Sequence, residues 1–225
     1  MLYIVPTPIG NLEDITLRAL RLLKEAQLIL CEDSRQTRKL MNLLEIENKP
    51  KFVDLVRNQE YNFRGVQEAI SQLENDPDLV VLLVSDAGTP GISDPGFEVL
   101  RMVQQKNIKY TVLPGATAFV PALVASNLVS KEFRFVGFLP LKKGRQTLWK
   151  EIIRSQTPII IYESVHRILK FIEEAKSNLE PERKICICRE LTKTFEEIWV
   201  GNIAGLSELK IIEKGEFVII ISSAQ

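Results

Sequence analysis

Short apolar runs separated by turn residues recur along the whole chain. They are rich in Val, Ile and Leu and have the length of β-strands. The predicted strands lie at Leu2–Val5, Leu28–Leu30, Leu79–Val84, Tyr110–Leu113, Arg134–Phe138, Pro158–Tyr162, Lys184–Cys188 and Phe217–Ile221.

Segments with the 3.6-residue apolar period alternate with the early strands. They predict helices at Thr16–Ala26, Arg35–Leu44, Phe63–Glu74, Gly96–Lys106 and Ala118–Ser126. A strand followed by a helix, repeated several times, is typical of a parallel sheet. The run LVVLLV has no polar alternation, which indicates a strand covered by helices on both faces.

The pattern changes after Val129 to longer strands with fewer helices between them. Helices are predicted at Gln146–Arg154 and His166–Ser177, and a hairpin-like run extends from Lys184 through Trp199 to Gly201. We therefore predict two α/β domains, residues 1–127 with a mainly parallel sheet and residues 128–225 with a mixed sheet. The expected boundary segment is Ser126–Phe133, a polar break between a helix and a strand.

Composition places the chain among ordinary globular proteins. Its 225 residues are 45% hydrophobic and 26% charged, with a mean hydropathy of +0.02. The apolar runs are shorter than the ~18 residues of a membrane span, and Met1–Ile9 lacks the features of a signal peptide. We expect a cytoplasmic protein. Three cysteines and a single His lack the spacing of a metal site, so reduced core thiols and no metal are predicted.

The net charge of the chain does not indicate a nucleic-acid partner. The 29 Lys and Arg residues balance 29 Asp and Glu residues, and the pI is near 6.7. An RNA site must therefore be a local basic patch. The densest candidate is Lys142, Lys143 and Arg145 around Gly144, for which a solvated loop is the alternative interpretation.

Three loops that follow predicted strands are rich in Gly, Pro and small residues: Val5–Thr16, Leu83–Gly96 and Val112–Leu123. Ligands of open α/β sheets bind beyond the carboxyl ends of the strands, so these loops predict a small-molecule site at one sheet edge. The second loop contains neither G-x-G-x-x-G nor a P-loop motif. Taken singly, the first loop is better explained as a strand-to-helix connection with a helix cap, and the third is equally well explained as a helix cap.

Seven motifs follow one another along the chain: VPTPIGNLEDIT, CEDSRQTRKL, LVSDAGTPGISDPG, LPGATAFVPAL, FRFVGFLPLKKGR, IIYESVHR and CRELTKTFEE. In this order they resemble the ribosomal RNA small-subunit methyltransferase I group of the tetrapyrrole methylase superfamily. The resemblance implies a homodimer of two-domain subunits with the methyl donor in the cleft between domains. It also implies that S-adenosylmethionine is the donor and that a cytidine ribose 2′-hydroxyl in 16S ribosomal RNA, free or within the 30S subunit, is the acceptor.

The resemblance also implies the residues that contact the donor. In the first domain they are Pro8, Asp86, Ala87, Gly88, Thr89, Pro90, Gly91, Ala116 and Thr117. In the second domain they are Tyr162, Glu163, Leu191 and Gly215, and Glu190 is a further matching position next to Leu191.

A ribose hydroxyl is a poor nucleophile, so a nearby carboxylate or neutral amine would assist methyl transfer. The catalytic candidates are Glu32, Asp33, Glu190 and Lys193, with Glu163 as a further possible base. Each pair also has a structural interpretation: Glu32 and Asp33 as a helix start, Glu190 and Lys193 as a strand-end ion pair. The RNA-binding candidates are Arg35, Arg38, Lys142, Lys143, Arg145, His166 and Arg167.

Two other functions stay open on the sequence alone: a porphyrinoid C-methyltransferase and a non-catalytic relative that binds the donor. The chain also departs from the family. Where relatives usually have a His-containing stretch ending in Asn-Glu, this chain reads VDLVRNQE without a His and with Gln59 before Glu60. It also ends soon after the last predicted strand, where many relatives continue.

Overall fold

The computed structural model describes residues 1–57, 60–76, 78–128 and 131–224. Gln59, and residues 129 and 130 of the expected boundary segment, lie outside the described residues. The chain forms two compact units, Met1–Thr117 and Ala118–Gln225.

The first unit is a parallel sheet covered by helices. Its strands are β1 (Leu2–Ile4), β2 (Leu28–Cys31), β3 (Lys51–Asp54), β4 (Val56–Arg57), β5 (Glu60–Tyr61), β6 (Val81–Val84) and β7 (Tyr110–Val112). Its helices are α1 (Leu17–Glu25), α2 (Ser34–Leu43), α3 (Phe63–Asn75) and α4 (Gly96–Gln105). Five strands form the sheet in the order β3-β2-β6-β1-β7 with every pairing parallel, while β4 and β5 form a separate antiparallel pair.

Strand β6 lies at the centre of this sheet and is buried on both faces. Val81 and Leu83 pack in one core cluster with residues of α3 and α4, such as Ile70. Leu82 and Val84 pack in the other cluster with residues of α1 and α2, such as Leu22. The absence of polar alternation in LVVLLV is therefore explained by helices on both faces.

Strand β3 is an element that the sequence pattern does not predict. Its four residues carry two charged side chains, and none of them is fully buried. It becomes a strand because it pairs in parallel with the apolar β2, where Ile29 lies opposite Phe52. Its pairing with a neighbour, rather than its own composition, decides its structure.

The second unit is a mixed sheet. Its elements are α5 (Phe119–Ser126), β8 (Arg134–Phe138), α6 (Arg145–Arg154), β9 (Ile159–Ser164), α7 (Ile168–Asn178), β10 (Lys184–Arg189), β11 (Glu197–Asn202) and β12 (Glu216–Ile221). The strand order is β11-β10-β12-β9-β8; β8 and β9 run parallel, and the other neighbours run antiparallel. The predicted hairpin is the β10–β11 pair. The predicted fold class, a parallel first sheet and a mixed second sheet, is confirmed.

Helices cover both faces of the second sheet. Ile159 and Ile161 of β9 pack in one core with Trp149 of α6 and Phe171 of α7, whose rings stack 5.5 Å apart. Helix α5 contacts β9, β10 and β12. The structural division therefore falls at Thr117, before α5, whereas the sequence pattern places a boundary after residue 127.

Among the described residues, all three cysteines are free and buried, and Cys186 Sγ lies 3.6 Å from Cys188 Sγ. No helix within the described ranges has the length and apolar character needed to cross a membrane.

Candidate active site

Backbone hydrogen bonds join the loops that follow β1 and β6. The N–H of Thr7 donates to Gly88 O (2.9 Å), and the N–H of Gly88 donates to Thr7 O (3.0 Å). The Thr7 hydroxyl donates to Ser85 O at 3.1 Å. Because β1 and β6 are parallel neighbours, both loops leave the same edge of the sheet and can pair across it.

The loop after β7 joins them through Thr89. Its hydroxyl lies 2.9 Å from Ala116 O and 2.7 Å from the Thr117 hydroxyl. Gly88 has φ +85°, and a Cβ there would approach Ala116 O at 3.5 Å. A positive φ is the condition that favours glycine. The three loops that the sequence predicts at one edge are therefore in contact there.

Carboxylates from the loops after β2 and β6 meet at this edge. Asp86 Oδ1 accepts from the Asp33 N–H at 3.2 Å, and Glu32 Oε2 lies 3.4 Å from the Asp86 N. Partial burial raises the pKa of both Glu32 and Asp86; the charge of Asp86 raises that of Glu32 further, and the charges of Asp33 and Asp54 raise that of Asp86. These two carboxyl groups thus hold their protons more tightly than ordinary carboxyl groups.

Asp33 has a different environment. Its carboxylate caps α2 by accepting from the Arg35 N–H (2.8 Å) and forms an ion pair with the Arg35 guanidinium at 2.6 Å. Hydrogen bonds from Arg35 lower the pKa of Asp33 to about 2. A carboxylate that is already a cap and an ion-pair partner is a weak proton acceptor.

Two aspartates that the sequence reasoning missed also shape this edge. Asp54, at the end of β3, accepts from the Ser34 N–H at 2.6 Å. Asp94 accepts from the N–H groups of Gly91 (2.9 Å) and Gly96 (2.8 Å) and so orders the loop after β6. Asp54 was missed because β3 was not predicted, whereas the second SD pair in SDAGTPGISDPG could have indicated Asp94.

In the second unit, Glu190 and Lys193 form a charged cluster with Glu216. The Lys193 ammonium lies 2.7 Å from Glu190 Oε1 and 3.0 Å from Glu216 Oε2. The backbone N–H of Glu216 also donates to Glu190 Oε1, at 3.0 Å. Burial opposes the charge on Glu190 and Lys193, but these hydrogen bonds outweigh it, lowering the pKa of Glu190 and raising that of Lys193. Lys193 is therefore a cation rather than a neutral amine.

Tyr162 and Glu163, adjacent on β9, face opposite sides of the sheet. Tyr162 Oη accepts from the Phe119 N–H at 3.3 Å, and burial raises the Tyr162 pKa to about 12. Glu163 is 1% exposed, and its Oε1 pairs with Arg167 at 2.8 Å. Its other oxygen, Oε2, is buried without a hydrogen-bond partner among the described residues. Burial raises the pKa of Glu163.

Two of the predicted RNA-binding arginines are part of the fold. Arg145 is 5% exposed and binds Glu174 through two nitrogens, at 2.6 and 3.0 Å, while its Nη1 donates to Pro140 O at 3.1 Å. Arg167 bonds Glu163 and donates to Leu139 O at 2.9 Å. These bonds hold the chain just before the basic loop at 141–144. Both guanidinium groups are therefore already engaged by partners within the protein.

The other RNA-binding candidates are exposed, whereas five of the donor-binding candidates are buried: Pro8, Gly88, Pro90, Glu163 and Leu191. Arg38 lies over the Phe52 ring at 4.1 Å, and the Arg35 side chain is 88% exposed despite its ion pair. Lys142, Lys143 and His166 are also exposed. Pro8 and Leu191 are buried, so any donor contact from these two would be made by their backbone groups or by one face of the side chain.

A family model of the tetrapyrrole (corrin/porphyrin) methylases matches residues 1–207. The chain belongs to the tetrapyrrole methylase family. Its two α/β units with a parallel and a mixed sheet are the fold of that family.

Curated proteins are similar to this chain over nearly its whole length. The protein named ribosomal RNA small subunit methyltransferase I of Hydrogenobaculum sp. is 44% identical over 225 residues, covering 98% of this chain and 95% of the relative. Proteins of the same name from Halalkalibacterium halodurans and Haemophilus influenzae are 42% and 41% identical, each covering 98% of this chain and 75% and 78% of the relative. The resemblance to this methyltransferase group that the motifs indicate is confirmed.

Solved structures show the same fold at low sequence identity. The uroporphyrin-III C-methyl transferase of Thermus thermophilus, in complex with S-adenyl homocysteine, has a TM-score of 0.64 and 20% identity and covers 97% of this chain and 96% of that chain. A diphthine synthase has a TM-score of 0.70 and 12% identity and covers 98% of this chain and 89% of that chain. At these identities the likeness concerns the fold alone.

Proposed function

We propose that this tetrapyrrole methylase transfers a methyl group from S-adenosylmethionine to the 2′-hydroxyl of a cytidine ribose in small-subunit ribosomal RNA. One observation carries the proposal: relatives that are 37–44% identical over 92–100% of this chain are named ribosomal RNA small subunit methyltransferase I. The porphyrinoid alternative has weaker support, because the uroporphyrin methylase structures share only 18–20% identity with this chain.

The edge of the first sheet has the chemistry that the methyl donor requires. When bound, S-adenosylmethionine supplies a methyl group activated by a positive sulfonium, together with an α-ammonium and two ribose hydroxyls. Asp86 uses Oδ1 for the Asp33 N–H, while its Oδ2 has no hydrogen bond among the described residues. A carboxylate at an exposed edge with a spare acceptor fits a cationic, hydroxyl-bearing ligand.

Small residues around Asp86 would let the ligand approach the backbone. We assign this contact to Ala87, Gly88, Thr89, Pro90 and Gly91, with Ala116, Thr117 and Pro8 from the neighbouring loops. Gly88 and Gly91 have φ of +85° and +87°, which orients peptide groups in directions that other residues rarely adopt.

The second unit contributes polar side chains that could bind the donor. Glu163 Oε2 is a buried acceptor without a partner among the described residues, and Tyr162 provides a phenolic oxygen on the opposite face of the sheet. Gly215 leaves space for the side chain of Glu190, and Leu191 is the next residue in the sequence. We assign these residues to donor binding, as the family resemblance implies.

Glu32 is the strongest candidate for the general base. An efficient base has a pKa near the working pH, and burial raises that of Glu32, whereas the pKa of Asp33 and of Glu190 is lowered. Lys193 is held as a cation by two carboxylates and has no lone pair to accept a proton. Glu190 and Lys193 therefore act together as an electrostatic pair that orients substrate or donor groups.

Exposed basic residues would contact the RNA backbone. We assign this role to Arg35, Arg38, Lys142, Lys143 and His166, while Arg145 and Arg167 hold the loop that carries the lysines. A cytoplasmic location fits an rRNA substrate, and the homodimer that the family resemblance implies is measurable by light scattering.

The deciding experiment is methyl incorporation from labelled S-adenosylmethionine into small ribosomal subunits that lack the modification. Nuclease mapping should then reveal a 2′-O-methylcytidine. Incorporation into a base, or into a porphyrinoid under the same conditions but not into RNA, would refute the proposal. Donor binding without any transfer would favour the non-catalytic alternative and direct attention to the segment 53–60.

A further inference from the structure

A solvent-open cavity of about 460 Å³ lies at the start of α6 in the second unit. Its floor is formed by Trp149 and by the Arg145–Glu174 pair. Three lysines, Lys142, Lys143 and Lys170, line it together with Leu141, Gly144, Gln146 and Thr147. The proposed function assigns no role to the cavity or to Lys170.

The cavity carries a net positive charge, although Glu174 in its lining also interacts electrostatically with Lys170. Arg145 and Glu174 neutralise each other in a two-nitrogen ion pair. Within the part of the chain that the structure describes, none of the three lysines has a carboxylate within 4 Å. Three cations around one concave surface create a potential that attracts anions more strongly than isolated surface lysines do.

The loop that carries two of these lysines is held in place by the fold. Arg145 donates to Pro140 O at 3.1 Å, and Arg167 donates to Leu139 O at 2.9 Å, so two half-buried or buried guanidinium groups fix the residues before the loop. Gly144 then turns the chain into α6 with φ +87°. A loop held at both ends presents its charges with a smaller entropy cost on binding.

We propose that this cavity binds a backbone phosphate of the RNA substrate, with the ammonium groups of Lys142, Lys143 and Lys170 as its ligands. The inference rests on the proposed function, because it names the part of the substrate that this surface recognises. Lysine is a point-charge partner for phosphate and recognises it without reading sequence. The volume is sufficient for a phosphate with parts of its two flanking sugars. The contact therefore positions the RNA, and other residues select the nucleotide.

The test compares two triple variants of the protein. One removes the cavity charges (K142Q, K143Q, K170Q), and the matched control removes three exposed lysines of the same unit that do not line the cavity (K150Q, K184Q, K210Q). Affinity for a fluorescent single-stranded fragment of small-subunit rRNA is measured by anisotropy over a range of salt concentrations.

The cavity variant should bind the fragment at least about tenfold more weakly than the wild type. Because each neutralised phosphate contributes about 0.7 to the salt slope for a single strand, losing this one phosphate contact should lower the slope by about 0.7. The control should retain the affinity and slope of the wild type. Both variants should bind S-adenosylmethionine with unchanged affinity, measured by calorimetry.

Equal RNA affinity and slope in the cavity variant and the wild type would overturn the proposal. So would a loss of affinity for intact small subunits with no loss for the RNA fragment, because that result would identify an acidic protein surface as the ligand. Wild-type protein that binds RNA through the cavity but transfers no methyl group would instead refute the proposed function and leave the phosphate site standing.

Discussion

Gly215 leaves the space that Glu190 occupies. A Cβ on Gly215 would lie 2.6 Å from Glu190 Oε1, and Gly215 has φ +89°. The same carboxylate oxygen accepts from Lys193 and from the Glu216 N–H, so the position of Glu190 depends on a glycine 25 residues away in sequence. This relationship links one predicted donor-binding residue to one predicted catalytic residue.

Gly215→Ala should destabilise the protein and displace Glu190. The expected loss is about 2–4 kcal/mol, from the strain of a positive φ and from the steric overlap. Gly144→Ala is the matched control, because Gly144 has φ +87° but its added Cβ would meet nothing closer than 3.8 Å. It should cost only about 1 kcal/mol. Urea unfolding of both variants measures the difference, and equal losses would show that Glu190 does not depend on Gly215.

Asp86→Asn should weaken donor binding and make the unliganded protein more stable at neutral pH. Burial raises the pKa of Asp86, so its ionised form costs folding free energy above the unfolded-state pKa near 3.9. Asparagine keeps the acceptor for the Asp33 N–H while removing the charge.

The stability gain of Asp86→Asn should grow as the pH rises through the folded-state pKa and vanish in acid, where Asp86 is protonated in both states. Calorimetric titration with S-adenosylmethionine and thermal unfolding at several pH values provide the two readouts. Asp78→Asn, an exposed substitution elsewhere in the first unit, is the control. An unaltered donor dissociation constant would remove Asp86 from the site.

Glu32→Gln should lower kcat for methyl transfer and leave donor affinity within about twofold. If Glu32 accepts the proton, the acidic limb of the pH–rate profile belongs to its raised pKa and should disappear in the variant. Asp33→Asn is the comparison, since asparagine also caps helices and should preserve the profile. A Glu32→Gln profile with an unchanged acidic limb would exclude Glu32 as the base.

Arg145→Met should reduce stability by about 3 kcal/mol, because it leaves Glu174 with only Trp149 as a side-chain donor. Glu174→Gln should cost less, and the double variant should recover part of the loss in a double-mutant cycle. Full additivity of the two single losses would show that the pair does not interact.

The Arg145–Glu174 contribution should also depend on pH. Burial opposes the charge on Glu174, but hydrogen bonds from Arg145 and Trp149 outweigh it and lower its pKa. The stabilisation is therefore complete above the unfolded-state pKa near 4.3 and is lost as the pH falls through the lower folded-state pKa. The free energy of unfolding of the wild type and of Glu174→Gln, measured at pH 3 and pH 7, tests this dependence. A stability difference between the two proteins that is the same at both pH values would contradict it.

The apolar pattern predicted strands and helices close to their observed bounds because the spacing of the buried side chains within each element is visible in its own sequence. Arg134–Phe138 is a strand in both, and α3 begins at Phe63 as its periodicity indicates. The ordered motifs further identified the family, and the strand-following loops of the first unit indicated which residues gather at one edge. These features depend on burial of a periodic face and on loops that leave parallel strands in the same direction.

Only the tertiary structure decided the elements and charges that depend on distant partners. Strand β3 exists through its pairing with β2, and Asp54 reaches Ser34 as a result. Arg145 lies within a basic sequence motif, yet burial against Glu174 makes it part of the fold, while Lys170, from another helix, joins Lys142 and Lys143 around one cavity. The sequence shows which side chains can carry a charge. Their pKa values and their availability for binding depend on desolvation and on partners that only folding brings near.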